Sequence, residues 1–431
     1  MNQQIKRSSY IRLMVMFGIE GALFQYVMST NGFGNFIYAT NLGATDTQIG
    51  LTQSVPQLVA LFLLLPLGFI GNKLKSSKTM PIIILAFMSL MYICYGSVPF
   101  MGDYKMALFF VFLGGTAGMV ALYNTSWQIF FAEVVEVNDR NGIFTFRNGA
   151  MFAIGTIVPL FIGGLLSSMI TAENKLGVMQ IFYYACGVLS LMTAAIISKM
   201  PSKLREPKTL SSEGLPRMRD VGGIIKELLH NKAFLTVIGS VMFLQLSWQI
   251  DWSMWYIGEV QYIGYTEAHL SYQSALQCFV QLAAIGFLGK LNRKKSSYFT
   301  IIIGCAGLAV YPLAMIAATF IPKAIAPWSL VIMYNLCSIP STALLLCVIQ
   351  IVLDIVPKKN QGIIISLYAM AVTLSNAVMP LFGVMIYTLF GADKRALIIF
   401  CIVAFILRAI TVVLFVFRYR DYKGRMIDIQ M

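Results

Sequence analysis

The sequence predicts an all-α integral membrane protein of twelve transmembrane helices, and three observations carry that prediction. Hydrophobic residues make up 58% of the 431 and charged residues only 12%, too little polar surface to cover a water-soluble globule of that length. Mean hydropathy is +0.76. The apolar residues come in successive runs of roughly 18 to 28, matching the ~20 residues that a helix needs to cross a ~30 Å hydrocarbon core. These runs are continuous rather than alternating, which excludes a transmembrane barrel. A bilayer core has no water to satisfy unpaired amides, so the backbone is expected to be helical almost throughout.

The spans are expected in the windows 11–39, 47–71, 80–100, 105–132, 144–170, 177–199, 233–258, 268–289, 298–321, 325–353, 363–390 and 395–418. The first follows a short basic lead in "MNQQIKRSSYIRLMVMFGIEGALFQY". It runs past signal-peptide length without a small-residue cleavage site and is expected to be retained. Span 2 ends in the basic loop "GFIGNKLKSSK", and span 4 ends in the charged run "EVVEVNDR". Span 5 carries Gly155, Pro159, Gly163 and Gly164, a mostly small face that lets another helix approach closely and a proline that kinks the helix. After span 6 comes the longest polar stretch, Ser198 to Lys232, whose last part, "DVGGIIKELLHNK", suits a short interfacial helix. The chain therefore divides into an N-terminal six-helix bundle (1–200), a cytoplasmic linker (201–232), a C-terminal six-helix bundle (233–418) and a cytoplasmic tail (419–431).

With the N-terminus placed in the cytoplasm, most of the 32 basic residues fall in the tails and even-numbered loops, as cytoplasmic loops require. Both termini are thus expected on the cytoplasmic side of the plasma (inner) membrane. The same distribution accounts for the net charge of +14 as attraction to an anionic leaflet and excludes nucleic acid as the partner. All seven cysteines lie within spans with no metal-ligand spacing, so neither a disulfide framework nor a metal site is expected. No cofactor motif or nucleotide-binding loop occurs.

The two halves repeat one another. "GFIGNKLKSSK" (Gly68–Lys78) pairs with "GFLGKLNRKKS" (Gly286–Ser296), and "LGAT" ending at Thr45 pairs with "IGYT" ending at Thr266. "EVVEVNDRNGIFTF" with "VPLFIGG" parallels "DIVPKKNQGIIISL" with "MPLFGVM". All three pairs lie about 220 residues apart, the mark of one duplicated unit. Six plus six spans, a basic linker and these loop motifs resemble the major facilitator superfamily of secondary transporters over nearly the whole chain. The resemblance implies two pseudo-symmetric six-helix bundles around a central cavity. It also implies gating roles for loop residues: Gly68 and Lys73 fit the family's loop motif, Asn72 stands where the family has an Asp, and Gly286 marks the second copy. Glu133, Arg140, Arg147 and Asp354 would pair and part between access states, or else simply solvate their loops.

The first and fourth helices of each half line the cavity in that superfamily, and the polar residues of this chain concentrate in the same spans. Span 1 holds Glu20, Gln25, Tyr26 and Asn31, span 4 holds Asn124, Trp127 and Gln128, and span 10 holds Asn335. Span 7 holds Gln245, Trp248, Asp251, Trp252 and Trp255. Spans 3, 6, 9 and 12 are poorer in amides and acids and are expected to face lipid. A charge inside the bilayer is expensive and marks a functional site by default. Asp251 shares a helix face with Trp248 and Trp255, suited to a proton and to stacking on a sugar ring or organic cation; the alternative is an interfacial belt with Asp251 reaching headgroup water. Glu20 is a coupling residue or a structural tie to Arg147. Arg408 is expected to be a snorkelling or packing residue of an outer helix, its long stem able to carry the guanidinium towards the inner surface.

The function expected is proton-coupled transport of a small organic solute by alternating access, with the bilayer and a coupling ion as the other partners and the monomer as the working form. Efflux of drugs or lipophilic cations by proton antiport, uncoupled facilitation and lipid flipping are the alternatives. An enzyme is excluded by the lack of a convergent acid, base or metal constellation.

Overall fold

In the computed structural model the described residues are 2–71, 76, 78–136, 139–201, 218–355 and 361–430. Asn72, Lys73 and linker residues 202–217 lie outside them, and for Gly68, Gln128 and Arg140 only the backbone is described. The described residues form helices, turns and no strand. They fall into two compact units, Met1–Thr209 with Leu270–Ala275, and Leu210–His269 with Leu276–Met431.

The first unit contains α1 (Asn2–Asn41), α2 (Asp46–Gly71), α3 (Thr79–Gly96), α4 (Lys105–Val134), α5 (Arg140–Ser168) and α6 (Ala172–Lys199). The second begins with α7 (Met218–His230), the short helix expected at the end of the linker. Span 7 follows in two pieces, α8 (Lys232–Gln249) and α9 (Trp252–Ile257), the latter running into a π turn over Gly258–Ile263. Then come α10 (Glu267–Lys295), α11 (Ser297–Ala318), α12 (Ala326–Ser341), α13 (Ala343–Ile355), α14 (Gln361–Leu389) and α15 (Lys394–Gln430). Among the described residues, 11 segments are long and apolar enough to cross a membrane; with the 26-residue α2 they occupy the twelve expected windows. All seven cysteines are free thiols.

The sequence repeat reappears in the packing. In the first unit α1 packs on α5, α3 on α6 and α3 on α4; in the second α8 packs on α14, α11 on α15 and α11 on α12 and α13. First helix on fifth, third on sixth and third on fourth is the same arrangement made twice. Glycines make room at two of these contacts. A Cβ on Gly21 of α1 would lie 2.6 Å from Cγ of Arg147 on α5, and one on Gly307 of α11 would lie 2.5 Å from the Pro340 ring of α12. Pro340 also lacks the N–H that would continue the ladder, and span 10 breaks two residues later at Thr342.

Candidate functional site

Each unit buries an acid of its first span against an arginine. In the first, Glu20 on α1 is completely buried. Arg147 reaches it from α5 with both arms of the fork, Nε donating to Oε2 at 2.8 Å and Nη2 to Oε1 at 3.0 Å. From α4, the Tyr123 hydroxyl donates to Oε1 at 2.6 Å and Trp127 Nε1 to Oε2 at 3.1 Å. The guanidinium lies 3.9 Å from the centroid of the Trp127 ring, which Phe17 and Phe131 enclose. A buried carboxylate is tolerable only when paired and hydrogen-bonded, and here four donors from two neighbouring helices meet that condition. The pairing of Glu20 with Arg147 is the one that the sequence allowed as a structural tie.

The other expected residues of this unit do not gather around Glu20. Gln25 donates to Ser29 one turn along α1 and lies against Gly155 of α5; Tyr26 stacks on Phe182. Asn31 binds the Tyr92 hydroxyl on α3, and Asn35 accepts from Tyr95 and from Tyr183 of α6. Spans 3 and 6 are therefore not merely lipid-facing: their buried tyrosines hold the amides of span 1. Asn124 is exposed, and Glu133 sits half-buried near the end of α4.

In the second unit Asp251 is 3% exposed and Arg408 of α15 is 1% exposed. Arg408 Nη2 donates to Asp251 Oδ1 at 2.6 Å. The expectation that Arg408 snorkels to the surface is thus corrected: the acid across the bundle holds it inside. Its remaining contacts are to backbone, with Nε donating to Ser247 O, Nη2 to Trp248 O and Nη1 to Leu308 O, each at 3.1 Å. Ser247 and Trp248 close α8, whose last carbonyls need donors and whose C-terminal dipole favours a cation. Span 7 is accordingly broken at Ile250 and Asp251 rather than continuous. The break is seated on α14 at Gly383, where a Cβ would strike the Ile250 carbonyl.

Beyond the break, Trp255 Nε1 donates to Asp251 Oδ2 at 3.0 Å, and its ring packs edge-on against Tyr311 at 5.9 Å and Tyr334 at 5.2 Å. Asp251, Arg408, Trp248, Trp252 and Trp255 line a pocket of about 100 Å³ together with Gln277 and Gln281 of α10, Leu308, Tyr311, Tyr334, Ser341 and Leu345. The aromatic and acid patch expected in span 7 is therefore gathered at one place, and Asp251 turns into the bundle and not towards headgroup water. Gln245 lies outside the pocket. It donates to Tyr368 and accepts from Gln249, whose own carbonyl oxygen accepts from Ser375, an amide ladder tying α8 to α14. Asn335 is 4% exposed and donates to Val331 O of its own helix. Asp354 is exposed at the end of α13, and Gly286 is exposed on α10.

Sequence reasoning missed Gln277, Gln281, Tyr311 and Tyr334. A signal existed for the first two: Gln273, Gln277 and Gln281 recur every four residues in span 8, an amide stripe on one helical face. No group of three or more metal-ligating side chains occurs among the described residues.

Two units of repeated sequence and repeated packing, each with an intramembrane ion pair, define a multi-pass membrane protein of the two-bundle transporter type. The chain matches the Major Facilitator Superfamily over residues 17–350 and belongs to that family. Among solved structures it is similar to a bacterial homolog of the human lysosomal transporter Spinster, at 13% identity over 98% of this chain and 99% of that one with a TM-score of 0.67. It is also similar to the nucleoside transporter NupG, at 14% identity over 98% and 99% with a TM-score of 0.65. A D-xylose-proton symporter aligns at 13% identity over 94% and 97% with a TM-score of 0.69. At such identities the likeness is one of fold. No curated protein matches the chain.

Proposed function

We propose that the chain is a proton-coupled secondary transporter that moves a small organic solute by alternating access, working as a monomer in the plasma membrane with both termini in the cytoplasm. The observation that carries this is the pocket of the second unit. It combines three tryptophans, two glutamines and a buried Asp251–Arg408 pair, which is the mix of apolar wall and few placed polar groups that small-molecule sites use. An intramembrane ion pair is costly to keep, and in transporters such groups serve ion or substrate paths. The two acids in arginine pairs, Glu20 and Asp251, are the places where a coupling proton can enter, and of the two Asp251 lines the pocket.

The test is uptake of a panel of labelled solutes into proteoliposomes with and without an imposed pH gradient. Accumulation that collapses with an uncoupler, and that Asp251→Asn or Glu20→Gln reduces to downhill flux, is the expected result. Flux no greater than in empty liposomes across the panel, or accumulation indifferent to the gradient, would overturn it.

A further inference from the structure

We propose that the pocket of the second unit takes an uncharged, hydroxyl-bearing ring of about monosaccharide size, and that Arg408 is the residue that makes the site reject charge. This rests on the reading of that pocket as the solute site and applies to the state in which Asp251 is ionised and paired with Arg408.

The charge balance comes first. Of the residues lining the pocket, Asp251 and Arg408 are the charged ones, and they touch at 2.6 Å, so their charges cancel within the wall. A guanidinium has five N–H donors. Four of the contacts these can make are placed, on Ser247 O, Leu308 O, Trp248 O and Asp251 Oδ1. The two-armed grip that clamps a carboxylate or phosphate is therefore already committed to the protein's own groups. Asp251 is committed as well, one oxygen to Arg408 and the other to Trp255. A cation over an indole face would gain from the ring quadrupole. But both charged side chains line the same pocket, so its attraction to Asp251 is offset by repulsion from Arg408, in a site where water screens little. A charged solute of either sign would shed its hydration and find no counter-charge to replace it.

An uncharged ring meets the opposite balance. Trp255 is held in orientation by its bond to Asp251 and by T-shaped contacts with Tyr311 and Tyr334, and its indole lines the pocket, where the C–H face of a sugar ring can lie against it. Gln277 and Gln281 stand one turn apart on α10, so both amides serve the same face. Each offers donors and an acceptor, as hydroxyl groups require. Against the ~10–15 Å³ that one water needs, about 100 Å³ gives room for a single ring.

The experiment uses purified full-length protein at neutral pH, with binding read by tryptophan fluorescence. The ligands are neutral hexoses and pentoses, their amino-sugar and uronate counterparts, and nucleosides. Wild type is expected to bind a neutral ring at least tenfold tighter than the same ring carrying an ammonium or carboxylate; the nucleoside arm tells whether a free sugar or a nucleoside supplies it. Arg408→Gln exposes the charge of Asp251 and should improve amino-sugar binding at least tenfold relative to the neutral ring. Arg408→Lys should keep the wild-type preference, and Asp251→Asn with Arg408→Gln should abolish the gain. If Arg408→Gln does not fold, Asp251→Asn gives the converse, a shift towards the uronate. Wild-type binding indifferent to charge, no shift in a folded single variant, or no binding by any ring overturns the proposal. Proton-driven uptake of a charged solute would sink this inference and leave the transporter reading standing, whereas absence of all transport would sink the latter.

Discussion

Replacing Arg147 with methionine removes one partner of the buried pair in the first unit while keeping most of the side-chain volume. Glu20 then keeps the Tyr123 hydroxyl and Trp127 Nε1 and loses both guanidinium bonds, at 2.8 and 3.0 Å. Breaking a buried ion pair from one side costs about 3–5 kcal/mol, because the charge left behind has no compensation. For a folding unit of ~150–250 residues each kcal/mol moves the midpoint by about 2–4 °C, so the variant should melt roughly 6–20 °C lower in detergent. The double variant Glu20→Gln with Arg147→Met removes both charges and leaves an amide oxygen to accept from Tyr123 or Trp127. Its midpoint should return most of the way, since neutral replacements of buried pairs are often tolerated. The assay is thermal unfolding by tryptophan fluorescence, with all four proteins of the cycle measured at the same detergent concentration. A double variant no more stable than Arg147→Met, or a single variant within about 1 kcal/mol of wild type, would refute the view that the pair ties α1 to α5.

Three further outcomes follow from the same contacts. Gly21→Val should displace Arg147, whose Cγ lies 2.6 Å from the position of the new Cβ, at a cost of about 1–3 kcal/mol from overpacking, visible in the same melting assay. Trp255→Phe keeps the ring against Tyr311 and Tyr334 but removes the donor to Asp251; a hydrogen bond to a charged group is worth about 1.5–3 kcal/mol, and loss of solute binding with little change in expression is expected. In a background lacking the seven native cysteines, Gln277→Cys and Gln281→Cys should react with a water-soluble thiol reagent and be protected by the solute, measured by mass spectrometry.

Much of this architecture was legible in the sequence because each element is dictated locally. Runs of apolar residues set the spans, and the copies of "GFIG" and "PLF" about 220 residues apart marked the duplication. Glu20 and Arg147 were also within reach, since each is a charge in or at the edge of an apolar span with few possible partners. The break in span 7 was not legible. "SWQIDWSMW" contains neither proline nor glycine, and the causes lie elsewhere in the chain: Gly383 of α14 makes room for the Ile250 carbonyl, and Arg408 of α15 holds the carbonyls of Ser247 and Trp248. The buried position of Arg408 is hidden in the sequence for the same reason. A guanidinium in an apolar span has the option of snorkelling, and only the position of a partner some 160 residues earlier decides against it. The part played by spans 3 and 6 is hidden for another reason: their polar groups are phenols rather than amides or acids, and Tyr92, Tyr95 and Tyr183 hold Asn31 and Asn35.

A structure determined with the transported solute bound tests the central claim most directly. The solute should lie within the second unit against Trp255, with its polar groups at Gln277 and Gln281 and with Asp251 and Arg408 beside it. A ligand bound elsewhere, with the three tryptophans and both glutamines untouched, would contradict the account.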